Sequence, residues 1–91
     1  MTRKRWTFHG RVQGVGFRAT AQGIAKQHNI NGWVKNKENG TVIVEGEGSQ
    51  EDLQALLKEL KAGPSPFIKV QHVDEETFSE EEGHADFKIK Y

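Results

Sequence analysis

The sequence predicts an α+β sandwich, one sheet covered on a single face by two helices. Three observations predict it. Trp6, Phe8, Gly10 and Val12 alternate with Arg5, Thr7, His9 and Arg11, the period of a half-buried strand. Leu53, Leu56, Leu57 and Leu60 follow Ser49 at helical spacing. Asn39-Gly40 lies between two apolar runs, where it marks a hairpin.

The elements follow in order. The first strand runs from Lys4 to Val12, and "QGVG" breaks it. A helix is expected from Phe17 to His28, with Phe17, Ala21, Ile24, Ala25 and His28 along one face and Gly23 weakening it slightly. "INGWVKN" reads as a second strand ending near Asn36, and "TVIVEGEG" as a third with Val42 and Val44 on one side. Ser49 fits an N-cap, with Asp52 in the capping-box position, and Gly63-Pro64 ends the second helix. A fourth strand is expected from Phe67 to Asp74. "SEEEGHA" reads as a solvated acidic loop, and "DFKIKY" as a last strand with Phe87, Ile89 and Tyr91 on one side. The order β-α-β-β-α-β plus a terminal strand is the ferredoxin-like arrangement, an antiparallel sheet with two helices on one face. The 91 residues form one domain, 1–91, with no repeat or internal linker.

In this topology the first two strands run parallel with the third between them. Their carboxyl ends then share one edge, two lanes of about 4.8 Å apart. "QGVGFR" leaves one end and Asn36 sits at the other, and ligands favour such an edge.

Charge points to the same half of the chain. Residues 1–37 hold eight Lys or Arg and no acid, whereas all 13 acids lie from Glu38 onward against five bases. Net charge is zero, but the halves carry +8 and −8. An anionic ligand on the N-terminal half is one explanation; attraction between the halves in the fold is the other. There is no cysteine, no signal-peptide pattern and no apolar run of membrane-spanning length. A soluble cytoplasmic protein is expected, with no membrane partner and no disulfide or thiolate metal site.

Gln13-Gly14-Val15-Gly16-Phe17-Arg18 has the parts of a phosphate cradle. Glycines let successive amides turn toward an anion, the following helix adds its positive end, and the planar fork of Arg18 matches two phosphate oxygens. Other readings compete. Gly14-x-Gly16-x-x-Ala19 fits a dinucleotide fingerprint, but 91 residues cannot supply a doubly wound sheet and the second strand ends without an acid. A Walker A loop fails for want of Gly-Lys-Ser/Thr. A plain tight turn also stays open.

His9, His28, His72 and His84 show no metal-ligand spacing, so no metal site is expected. His9 is read as outward-facing and His28 as a helix-end residue. Trp6 and Trp33 read as packing residues, and the RNP aromatic pattern of RNA binders is missing.

"GRVQGVGFR" (10–18) resembles one signature of the acylphosphatase family, and "GWVKNKENGTVIVEGEG" (32–48) resembles its second, with Trp33, Asn36, Gly40, Val42 and Gly48 in register. "GPSPFIKV" and "FKIKY" are also similar to family members, so the likeness spans nearly the whole chain. The resemblance implies a ferredoxin-like fold and hydrolysis of carboxyl-phosphate anhydrides without metal or cofactor. It implies that Arg18 binds the phosphoryl group and that Asn36 positions the attacking water, the two catalytic positions. Ala19 departs from the family, where an aromatic residue commonly follows the arginine.

The partners implied are a small-molecule acyl phosphate and inorganic phosphate, with no nucleic acid, and the expected state is a monomer. The alternative is a non-catalytic ferredoxin-like module that binds an anion or RNA. A unit serving a larger carbamoyl-phosphate pathway is a third, against which the chain length argues for a free-standing enzyme.

Overall fold

Trp6 and Phe8 are fully buried while Arg5, Thr7 and His9 keep part of their surface, as one covered strand face requires. They lie in β1 (Thr2–Arg11), an interior strand of the sheet in a computed structural model that describes all 91 residues. The chain continues through α1 (Phe17–Gln27), β2 (Asn31–Asn36), β3 (Val42–Gly48), α2 (Gln50–Lys61), β4 (Lys69–Phe78) and β5 (Phe87–Lys90).

The sheet order is β4-β1-β3-β2-β5. β3 runs antiparallel to both β1 and β2, so β1 and β2 are parallel and end on one edge, as expected. β4 is antiparallel to β1, whereas β5 adds in parallel beside β2 and makes the five-stranded sheet mixed. The four ferredoxin-like strands are antiparallel to their neighbours, and the terminal strand is the addition.

Phe17, Ala21 and Ala25 on α1 and Leu53, Leu56 and Leu60 on α2 meet Trp6, Phe8, Val34, Val42 and Val44 in one core. Each large apolar side chain so buried contributes about 1.5–3 kcal/mol. The Ser49 hydroxyl accepts from the Asp52 amide at 3.0 Å, the expected cap, worth about 1 kcal/mol.

Two segments differ from expectation. β4 begins at Lys69 and runs on to Phe78. The Ser65 hydroxyl and carbonyl accept the amides of Phe67 and Ile68, which holds residues 65–68 in a turn and leaves Phe67 exposed. Further along, Glu75 accepts from Trp6 Nε1 at 2.8 Å and from Lys4 Nζ at 3.3 Å, so pairing with β1 extends past Asp74.

The segment 79–86 is a loop with exposed side chains, as expected, apart from half-buried His84, but its backbone does more than face solvent. It lies across the helix-free face of the sheet and donates the amides of Glu82, Gly83 and His84 to the Glu47 carboxylate. Beside Glu47, Glu45 is fully buried. It receives Arg5 at 2.7 and 3.0 Å, Arg3 at 3.2 Å and the His84 ring at 2.7 Å. Burial pushes the Glu45 carboxyl up; hydrogen bonds from His84 and Arg5 and the charges of Arg5 and Arg3 more than reverse this and hold it below the ordinary glutamate range. Burial acts the same way on Glu47, and the three strap amides overcome it. Attraction between the chain's halves therefore accounts for Arg3, Lys4 and Arg5.

Candidate phosphate site

Val12 is buried and anchors the end of β1, after which the chain must turn sharply into α1. Gly14 (φ 73°) and Gly16 (φ 78°) make that turn in left-handed backbone, which costs roughly 1–2 kcal/mol for a residue with a Cβ. Gly16 is also the N-cap of α1 and offers no side chain to the first-turn amides. The first helical hydrogen bond runs from the Thr20 amide to the Gly16 carbonyl at 3.1 Å. The amides of Gln13 through Ala19 donate to no protein acceptor. Seven consecutive free donors at a positive helix end are the arrangement that suits an anion.

Gly14, Gly16, Phe17 and Arg18 line a cavity of about 190 Å³, and Asn36 closes it from the end of β2. The fold thus brings together both residues that the sequence assigned to catalysis. Arg18 makes no ion pair; its one aromatic neighbour is Tyr91, whose ring centre lies 4.9 Å from the guanidinium carbon. Of the bases in 1–37, Arg11, Arg18, Lys26, Lys35 and Lys37 carry no carboxylate partner, so attraction between halves does not account for them.

Two cradle residues play parts the sequence did not announce. Val15 packs against the core rather than lining the cavity. The Gln13 side chain donates to the carbonyls of Lys37 at 2.6 Å and Thr41 at 2.9 Å, which ties the glycine loop to the β2–β3 turn beside Asn36. That turn is itself fixed, because Asn39 Oδ1 accepts from the Thr41 amide and hydroxyl at 3.1 and 2.6 Å.

Ile89 and Tyr91 also line the cavity and were not assigned to it from sequence. Their alternation with Phe87 put them on one side of a strand, but only the parallel docking of β5 beside β2 aims that side at the glycine loop. Ala19, the departure from the family pattern, is exposed at the cavity rim. A wider depression adjoins the cavity, lined by Trp33, Lys35, Lys37 and Ile43 and sharing Asn36 and Tyr91 with it.

Fold and site together define a small ferredoxin-like protein with a glycine loop of free amides at the joint of β1 and α1. The profile of the acylphosphatase family matches residues 4–89. An acylphosphatase of Bacillus licheniformis is 44% identical over 91 residues, covering all of both chains. The crystal structure of acylphosphatase from Bacillus subtilis superposes with a TM-score of 0.96 at 41% identity, again over the whole of both chains. That of an acylphosphatase from Coxiella burnetii gives 0.89 at 31% identity, covering 98% of this chain and 92% of the other. The chain belongs to the acylphosphatase family.

Proposed function

We propose that this protein is an acylphosphatase that hydrolyses small acyl phosphates to a carboxylate and inorganic phosphate, with residues 1–91 as one catalytic unit. The observation that carries the reading is the meeting of Arg18 and Asn36 at one cavity beside seven unpartnered amides. The cavity has room for roughly six waters, enough for a phosphoryl group and a nucleophile.

The amides of Gln13, Gly14, Val15, Gly16, Phe17 and Arg18 and the Arg18 fork bind the phosphoryl oxygens. Each charge-assisted hydrogen bond contributes about 1.5–3 kcal/mol. Asn36 orients a water through its carboxamide, which has no basicity at neutral pH. The water oxygen bonds to phosphorus as the bond to the acyl oxygen breaks, and the electron pair leaves on the carboxylate. One water proton passes to a phosphoryl oxygen, so acyl phosphate dianion and water become carboxylate and dihydrogen phosphate. A carboxylate leaves without protonation, so positioning and charge stabilisation do most of the work. The acyl group fits the depression around Trp33 and Ile43.

A monomer is the oligomeric state proposed. No helix is long and apolar enough to cross a membrane; a cytoplasmic location is the reading proposed.

The test is hydrolysis of benzoyl phosphate with EDTA present, with and without inorganic phosphate. Turnover inhibited competitively by phosphate is expected, and Asn36→Ala should lower turnover more than it weakens phosphate inhibition. No hydrolysis by the parent chain, or parental rates in Asn36→Ala, would refute the assignment.

A further inference from the structure

The cross-strand register of β1 and β4 does what linear spacing hid. His9 lies directly opposite His72, and Asp74 stands two residues along on the same face of β4. The two imidazoles are tilted, 5.3 Å apart. His9 Nε2 is 2.8 Å from Asp74 Oδ2, and His72 Nε2 is 2.7 Å from Asp74 Oδ1. Three donor atoms, all within 4.8 Å of one another, thus converge on one point of the helix-free face.

We propose that His9, His72 and Asp74 form a site for a divalent first-row metal ion of the zinc, nickel or copper class, separate from the phosphate cavity. Two imidazoles and one carboxylate suit these ions better than magnesium or calcium, which take oxygen donors. Bonds of about 2.0–2.2 Å to a tetrahedral ion require donors roughly 3.3 Å apart. The rings reach that spacing by side-chain rotation, since His72 and Asp74 are about two-thirds exposed. The fourth position opens to solvent and takes water. The other convergent cluster, Glu45, Glu82 and His84, is a poorer site because Arg3 and Arg5 already neutralise Glu45.

Titration of the full chain with zinc chloride, followed by calorimetry, tests the site. One zinc per chain is expected. Affinity should fall about tenfold or more in His9→Gln and in His72→Gln, and stay parental in Glu82→Gln, which depletes the rival cluster. Proton NMR of the parent chain should show the ring signals of His9 and His72 moving together, with those of His28 and His84 fixed. That readout holds even if a variant folds poorly. Absence of saturable zinc binding, or parental affinity in the His9→Gln/His72→Gln double variant, would overturn the proposal.

Discussion

Replacing Gln13 by alanine asks whether one side chain holds the two halves of the phosphate site in register. The variant loses the hydrogen bonds to the carbonyls of Lys37 and Thr41. At a net 0.5–1.5 kcal/mol each, the loss lies between about 1 and 3 kcal/mol. The lower end applies, because neither carbonyl is orphaned: Lys37 O still accepts from the Gly40 amide at 3.2 Å and Thr41 O from the Lys37 amide at 2.8 Å. A loss of about 1 kcal/mol lowers the melting temperature by roughly 4–8 °C in a domain of this size. The effect on turnover is larger. Gln13 adjoins Gly14 and Lys37 adjoins Asn36, so slackening by about 1 Å separates cradle from water and costs up to about 100-fold. Steady-state hydrolysis of benzoyl phosphate, well below both melting points, reads the first quantity. Inhibition by inorganic phosphate reads the cradle alone. The expected result is a fall in kcat of about 10- to 100-fold with phosphate inhibition near parental. A melting shift with unchanged kcat would show that the staple serves stability only, and equal loss of kcat and phosphate affinity would show that it holds the cradle itself.

Three further outcomes are expected. Arg18→Lys keeps the charge but loses the planar fork, so kcat/KM should fall by about 10²–10³ with an unchanged melting temperature; parental kcat/KM would exclude the role given to Arg18. Tyr91→Ala removes the ring 4.9 Å from that guanidinium; a cation–π contribution of about 0.5–1 kcal/mol corresponds to a rise in KM of roughly two- to fivefold, which a substrate titration measures. Glu45, Glu47 and Glu75 all titrate below the ordinary glutamate value of 4.5 in the folded chain. The unfolded chain therefore binds more protons in that window, and stability rises with pH there. Urea midpoints should be level above about pH 5.5 and fall as pH drops below 4.5 and through the folded values. Glu45→Gln should flatten that acid limb, and an unaltered limb would contradict the buried network.

The parts of the fold legible in the sequence are those written in local patterns. Alternation around Trp6 and Phe8, the leucine stripe after Ser49 and the Asn39-Gly40 turn each need only neighbouring residues. The glycine loop and Arg18 were legible for the same reason, and the topology then placed Asn36 across from them. What stayed hidden depends on strand register or docking. Glu45 and Glu47 alternate with Val44 as outward-facing residues should, yet both are buried because residues 79–86 fold over them. Nothing in "SEEEGHA" distinguishes acids that face solvent from a backbone that serves as donor. His9 and His72 are far apart in sequence and meet only through the pairing of β1 with β4. Tyr91 reaches the cavity of Arg18 and Asn36 only because β5 docks in parallel beside β2.

The most direct measurement is a crystal structure with inorganic phosphate bound. The ion should sit between β1 and α1, with amides from residues 13–18 and both arms of the Arg18 fork within about 2.7–3.2 Å of its oxygens, and with the Asn36 carboxamide facing it across one water. A phosphate bound elsewhere, with Arg18 and Asn36 turned away from each other, would contradict the proposed chemistry at its root.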